Sequence, residues 1–200
     1  MRKLNSLPSA AELIECSQCS VLESDITAAP NSNAYDTTIA GFWSGQARDD
    51  KPTCVVQPTT REHVAAVVRT LTRWQCQFSV KGGGHTPFPG AASINDGVTI
   101  DLAKLNTISV DKNANIAYVG SGLKWGQIYE YLEPKNMMVA GGRDSLVGIG
   151  GLIVGGKMPP EQSITRGDNL HGFVCRWLLM VCAPKRFRGG YCYQLRACGW

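Results

Sequence analysis

Lys81-Gly82-Gly83-Gly84-His85-Thr86-Pro87 is the stretch on which the reading of this chain turns. Three consecutive glycines after Phe78-Ser79-Val80 do not continue a strand, because each lacks a side chain to pack and loses extra backbone entropy on folding. They predict a tight loop. Such a loop can turn its backbone N–H groups inward and let a diphosphate or a flat heterocycle approach closely, with His85 at its mouth. The other reading is a plain glycine turn carrying a surface imidazole.

Upstream, Cys54-Val55-Val56 reads as a short buried strand closed by Pro58. Thr59 and Glu62 stand at capping-box spacing, and Val64, Val67, Val68 and Leu71 follow at helical intervals. Phe78 to Lys81 is the next strand, so residues 54–81 make a strand–helix–strand unit. The glycine loop then lies at the carboxyl end of a strand, where α/β proteins commonly bind ligands.

Downstream the helical period disappears. Gly97 to Leu102, Thr107 to Asp111 and Ile116 to Gly120 read as three short strands. Trp125 to Leu132 predicts a helix with Trp125, Ile128, Tyr129 and Leu132 on one packed face, and Met137 to Ala140 a further strand. A second glycine-dense stretch runs from Gly141 to Lys157, so its backbone must bend or approach something closely. Gly151 to Lys157 satisfies part of a nucleotide P-loop, but Met158 stands where a hydroxyl is required, and Leu152-Ile153-Val154 is too apolar for a phosphate cradle. No GxGxxG is present.

Composition excludes several classes. Apolar content of 44% and charged content of 18% describe a globular chain, and no apolar run approaches the ~20 residues of a bilayer span. Residues 1–157 carry 14 Lys+Arg and 14 Asp+Glu, whereas 158–200 carry 6 and 2, so the net +4 lies in the last 43 residues. Four of the 8 cysteines lie there as well. No basic helix or stacking motif accompanies those arginines, so neither a nucleic-acid partner nor a membrane partner is expected. Met1 to Pro8 has a basic start without an apolar block, so no secretory signal is visible and the compartment stays open.

At the amino end, residues 10–16 predict one helix, followed by a loop around Pro30 to Asn33. Cys16-Ser17-Gln18-Cys19 has CxxC spacing, but no second ligand pair follows for zinc and no strand precedes it for a redox motif. No metal is expected. The remaining reading joins Cys54 to Cys16 or Cys19, which needs an oxidising compartment.

Together these blocks resemble the FAD-linked oxidases with a PCMH-type flavin domain, the group of the berberine bridge enzyme and of related oligosaccharide and hydroxynicotine oxidases. The resemblance runs from about Cys54 to Gly156. It rests on Pro52-x-Cys54-Val55-Val56, the Lys81 to His85 loop, Gly97 to Leu102, Val119-Gly120-Ser121-Gly122-x-x-Trp125, and Gly141-Gly142-Arg143 leading to Val147-Gly148-Ile149-Gly150-Gly151. It implies an α/β (α+β) fold of three parts: an N-terminal helix and loop at 1–50, an incomplete PCMH-type FAD-binding domain at 51–157, and a divergent, irregular tail at 158–200. FAD is the implied cofactor. The resemblance puts its covalent attachment on His85, its diphosphate on Gly82, Gly83, Gly84 and Thr86, and a second contact on Val147, Gly148, Gly150 and Gly151. Doubly attached members use a cysteine three residues before the Val-Gly; Asp144 stands there, so a single link is implied. The N-terminal cysteines look like the family's helix-to-strand disulfide.

The implied activity is oxidation of a small organic substrate by hydride transfer to flavin N5, with oxygen as acceptor. Beyond Gly156 the pattern gives way to Lys157-Met158-Pro159-Pro160, and the substrate domain that carries the family's catalytic base is expected to be missing. No catalytic base is therefore assigned. The alternatives are a non-catalytic flavin-binding fragment or the misfolded product of a faulty gene model.

Overall fold

The computed structural model describes residues 19–111, 116–137, 139, 141–154 and 174–175. Two compact units divide the chain, residues 1–105 and 106–200, so the stretch 51–157 contributes to both. No helix among the described residues is long and apolar enough to cross a membrane.

The first unit is built on a four-stranded sheet. Its strands are β1 (Thr27–Ala28), β2 (Cys54–Val56), β3 (Phe78–Lys81) and β4 (Val98–Asp101), in the order β1-β2-β4-β3. β4 runs parallel to both β2 and β3, while β1 pairs antiparallel with β2. Every residue of β2 and β4 is buried, as in a parallel sheet covered on both faces. Side chains alternate across the pleat, so Val55 and Val56 serve different layers. Val56 packs with Val67 and Leu71 of helix α3 (Arg61–Arg73), whereas Val55 packs with Tyr35 of helix α1 (Asn33–Ala40); the short helix α2 (Gly45–Asp49) follows α1 in the chain. Burial, and secondarily the neighbouring Asp36, pushes the Tyr35 phenol above its ordinary value; its hydroxyl donates to the Pro52 carbonyl at 2.9 Å.

The cap of α3 differs from the expected capping box. Thr60, not Thr59, is the N-cap, its side chain accepting from the His63 N–H at 3.1 Å. Thr59 instead contacts the His63 ring, and Glu62 pairs with Arg61. The helix begins at Arg61, so Thr60 is the residue that precedes its first turn and its oxygen reaches the third helical amide. The edge strand β3 also reverses the pattern expected of an apolar run: Ser79 and Lys81 are buried while Phe78 and Val80 are exposed.

Cys19 and Cys54 are joined by a disulfide that closes a separation of 35 residues. Cys76 is a half-cystine as well. Both Cys54 and Cys76 sit in the apolar layer beneath α3. Cys16 and the helix expected at 10–16 lie outside the described residues.

In the second unit, β5 (Ile108–Asp111) and β6 (Ile116–Val119) form an antiparallel hairpin, and β7 (Val174–Cys175) adds to β6 in parallel. One strand of this sheet, β7, thus lies within residues 158–200. Helix α4 (Trp125–Leu132) packs Trp125, Ile128 and Leu132 against Ala117 and Val119, as its periodicity predicts. Helix α5 (Ile149–Val154) follows α4 in this unit. Of the strand expected at 137–140, Val139 makes a bridge, while Met138 and Ala140 lie outside the described residues.

Candidate functional site

The glycine loop leaves β3 at Lys81, and the ammonium of that residue is the loop's anchor. Lys81 pairs with Asp101 on the adjacent strand, Nζ lying 3.2 and 3.1 Å from the two carboxylate oxygens, and both side chains are buried. The register forces the meeting, because Lys81 and Asp101 are direct partners across β3 and β4. A buried charge pair is tolerated only when its remaining hydrogen-bonding capacity is filled. Here Thr38 of α1 donates to Asp101 at 2.8 Å, Gln57 donates to Thr38 at 3.0 Å, and the Ala103 N–H donates to Asp101 at 3.1 Å. The ammonium also lies 5.3 Å from the centroid of the Phe42 ring.

Above this network the loop is pinned to the segment that follows α1. The Trp43 N–H donates to the Gly84 carbonyl at 2.9 Å, and the Ser44 hydroxyl donates to the Pro87 carbonyl at 3.2 Å. Gly84 is buried with φ +70°, a left-handed conformation that side chains disfavour. A Cβ there would stand 3.2 Å from the Gly41 carbonyl oxygen and 3.1 Å from Lys81 Cε. The loop is therefore glycine for a local reason at this position. The ring of His85 stacks on that of Trp43, centroids 5.1 Å apart and planes inclined by 22°. Trp43 is 56% exposed, whereas the His85 ring is half-buried with its Nε2 covered.

Gly82, Gly83 and Thr86 are half-buried. Among the described residues, the amides of Gly82, Gly83 and Gly84 donate no backbone hydrogen bond. Adjacent uncommitted N–H groups in a glycine turn are donors for an anionic oxygen, and the aromatic pair beside them offers a flat surface. The residues present thus fit a dinucleotide that carries both a diphosphate and a fused ring system.

The second predicted group folds differently. The Val147 and Ser145 carbonyls accept from the Trp125 and Gly126 N–H groups, each at 3.0 Å, so this loop satisfies the first-turn amides of α4. Gly148 bridges to Lys124, and Gly150 and Gly151 lie within α5 rather than in a loop. Asp144 is exposed, its carboxylate accepting from the Leu146 N–H at 2.8 Å. Gly82 to Thr86 belong to the first unit, and Val147 to Gly151 to the second.

Trp43, Thr38, Gln57 and Asp101 were not singled out as site residues from sequence. The usable signal was Asp101, a charge ending the apolar run Val98-Thr99-Ile100 one strand away from Lys81.

A family described as an FAD binding domain matches residues 52–179, beyond the 157 boundary set by the sequence pattern. The chain belongs to this family, the FAD-linked oxidoreductases with a PCMH-type flavin domain. Among curated relatives, the FAD-dependent monooxygenase tpcD of Cochliobolus heterostrophus is 37% identical over 134 residues, covering 67% of this chain and 25% of that protein. The FAD-dependent monooxygenase sdcF of Emericella nidulans is 38% identical over 144 residues, covering 70% and 30%. Of solved structures, 6-hydroxy-D-nicotine oxidase from Arthrobacter nicotinovorans aligns with TM-score 0.57 and 27% identity over 63% of this chain and 27% of that one. A variant of the Physcomitrella patens BBE-like 1 protein aligns with TM-score 0.54 and 26% identity over 70% and 30%. The chain thus spans between a quarter and a third of the length of each of these proteins.

Proposed function

We propose that this chain is the flavin-holding part of an FAD-linked oxidoreductase, with FAD attached covalently through His85 alone. The observation that carries the reading is the glycine turn whose Gly82 to Gly84 amides are uncommitted among the described residues, with an imidazole at its mouth. In this reading the three amides and Thr86 take the diphosphate, and His85 takes the 8α carbon of the flavin. Val147, Gly148, Gly150 and Gly151 are a second group of proposed cofactor contacts. Asp144 supplies a carboxylate where a second attachment needs a thiol, which leaves one link.

When bound, FAD supplies two-electron chemistry, taking a hydride from a small organic substrate at N5 and passing the electrons to oxygen. The residues described here hold and orient the cofactor. Lys81 and Asp101 fix the base of the loop, and the Trp43–Gly84 backbone bond fixes its crest, so the attachment atom has a defined position. The curated relatives are named FAD-dependent monooxygenases, whereas the solved neighbour is named an oxidase. The electron acceptor and substrate of the full enzyme are therefore part of the proposal, with oxygen as acceptor.

The test is to express the chain with added FAD, precipitate it with acid, and look for flavin fluorescence on a denaturing gel. Peptide mass mapping should place one flavin on the peptide containing His85. Flavin still attached in His85→Ala, or none attached in the native chain, overturns the covalent assignment.

A further inference from the structure

We propose that Cys16 and Cys76 form a second disulfide, so that the segment Cys16-Ser17-Gln18-Cys19 is bonded to the first unit at both of its ends. The inference goes beyond the flavin-holding role and does not depend on it. Cys76 is disulfide-bonded and 7% exposed, and its partner is neither Cys19 nor Cys54, which are joined to each other. The other cysteines of the chain are Cys16 and, toward the carboxyl end, Cys175, Cys182, Cys192 and Cys198.

The register of the sheet selects among them. Cys54 and Phe78 are both partners of Val98, one from each side, so the starts of β2 and β3 lie two strand spacings apart, roughly 10 Å. Cys76 stands two residues before Phe78, where α3 ends. Gln75 takes φ +55° there, and the Cys76 N–H donates to the Leu71 carbonyl at 2.9 Å, which fixes the Cys76 backbone beneath the helix. Cys19, Cys54 and Cys76 share one apolar layer.

From Cys19 to Cys16 is three residue steps, a reach of about 5 Å in a helix and about 10 Å when extended. A disulfide spans roughly 4–7 Å more between Cα atoms. A segment tethered to Cys54 through Cys19 therefore brings Cys16 within bonding range of Cys76 across β4. The Cys19–Cys54 bridge also shortens the loop to be closed, since the covalent path then runs three residues to Cys19 and 22 from Cys54 to Cys76. Cys175, the first of the later cysteines, is 99 residues from Cys76 and belongs to the other unit. The CxxC spacing, which suits neither zinc nor a redox motif here, thus matches the distance between two strand entries. The two bridges fasten the strands that flank β4, and β3 is the one that leads through Lys81 into the glycine loop.

The step is an oxidation of two thiols to one disulfide. The two electrons and two protons go to an exchange partner, a protein disulfide or oxidised glutathione, which leaves as two thiols.

The experiment oxidises the full chain in glutathione buffer, blocks free thiols with N-ethylmaleimide and digests with trypsin without reduction. The tryptic peptides 4–48, 49–61 and 74–81 hold Cys16 with Cys19, Cys54 and Cys76 respectively. They are expected as one three-peptide species that separates on reduction. In Cys19→Ser/Cys54→Ser, peptides 4–48 and 74–81 are expected to stay joined, which places the bond on Cys16. In Cys16→Ser, that link is expected to be lost and Cys76 to carry maleimide. Peptide 74–81 joined to a peptide from beyond residue 157 overturns the inference. So does maleimide on Cys76 in native chains whose 4–48 and 49–61 peptides are joined, or a Cys76 that resists maleimide in Cys16→Ser. The map of the native chain decides the matter even if the variants fail to fold.

Discussion

The two glycine-rich stretches of this chain have similar compositions and opposite internal logic. In the first, residues 82–84 sit over a buried polar network, and their amides are uncommitted among the described residues. In the second, the carbonyls of Ser145 and Val147 are committed to the amino end of α4, and glycines 141 and 142 press against the Trp125 ring. Charge and hydrogen bonding position one loop, and aromatic packing the other. Glycine density alone therefore does not mark a ligand cradle. What distinguishes one is whether backbone donors remain to be used.

The largest expected effect tests the polar half of this contrast. Asp101→Ala removes the carboxylate that Lys81, Thr38 and the Ala103 N–H all address, leaving a buried ammonium unpaired. Breaking one side of such a pair costs about 3–5 kcal/mol. Chemical denaturation of purified protein should show a loss of that size, together with weaker flavin retention. A variant as stable as the native chain would mean that the first loop does not depend on the network beneath it.

The aromatic half is tested by Gly141→Ala. A Cβ at Gly141 would stand 2.0 Å from Trp125 Cζ3, and one at Gly142 2.5 Å from Trp125 Cδ1, so either ring or backbone must move. Overpacking of this kind costs about 1–3 kcal/mol. The cost should shrink in a Trp125→Leu background, and a double-mutant cycle measures that coupling. An additive cycle would detach these glycines from the ring. Gly84→Ala should cost less, about 1–2 kcal/mol, because its penalty is mainly the left-handed backbone at φ +70°. Thermal melts of the two alanine variants rank them directly.

Much of the first unit was legible because its signals are local. Val64, Val67, Val68 and Leu71 carry a helical period, and Cys54-Val55-Val56 is a strand whose two faces both meet apolar layers. The loop itself was legible because a run of glycines after a strand has few structural uses. The anchor beneath it was not, since Lys81 and Asp101 are 20 positions apart and meet only through the register of β3 with β4. For the same reason Phe78-Ser79-Val80 reads as apolar in sequence but buries its serine. The edge position leaves one face uncovered, and the polar network claims the other. Trp43 carried no pattern at all, because a loop residue stacking on another loop has no period. In the second unit, periodicity identified α4 correctly but could not say that the neighbouring glycines exist to clear its tryptophan. The pairing of Val174–Cys175 with β6 depends on a parallel partner more than 50 residues away, and no local rule reaches that far.

The smallest expected effect is also the one that separates the two meanings of glycine most cleanly. Gly151 lies in α5, is exposed, and a Cβ there would meet no described atom within 4 Å. Neither the polar reason of Gly84 nor the packing reason of Gly141 applies to it. On intrinsic grounds an alanine should stabilise this helix by about 0.5–1 kcal/mol, since it loses less backbone entropy on folding. Gly150 makes the internal control, because its Cβ would stand 3.1 Å from the Ser121 carbonyl oxygen, and alanine there has a steric cost to offset the gain. If Gly151 is glycine because the cofactor approaches its backbone, Gly151→Ala should raise the melting temperature of the flavin-free chain while reducing the flavin it retains. If the residue is glycine by accident, stability rises and retention is unchanged. Paired melts and gel-filtration flavin content on the same preparation distinguish these outcomes. Unchanged retention would remove Gly151 from the proposed cofactor contacts while leaving the Gly82 to Thr86 loop as it is.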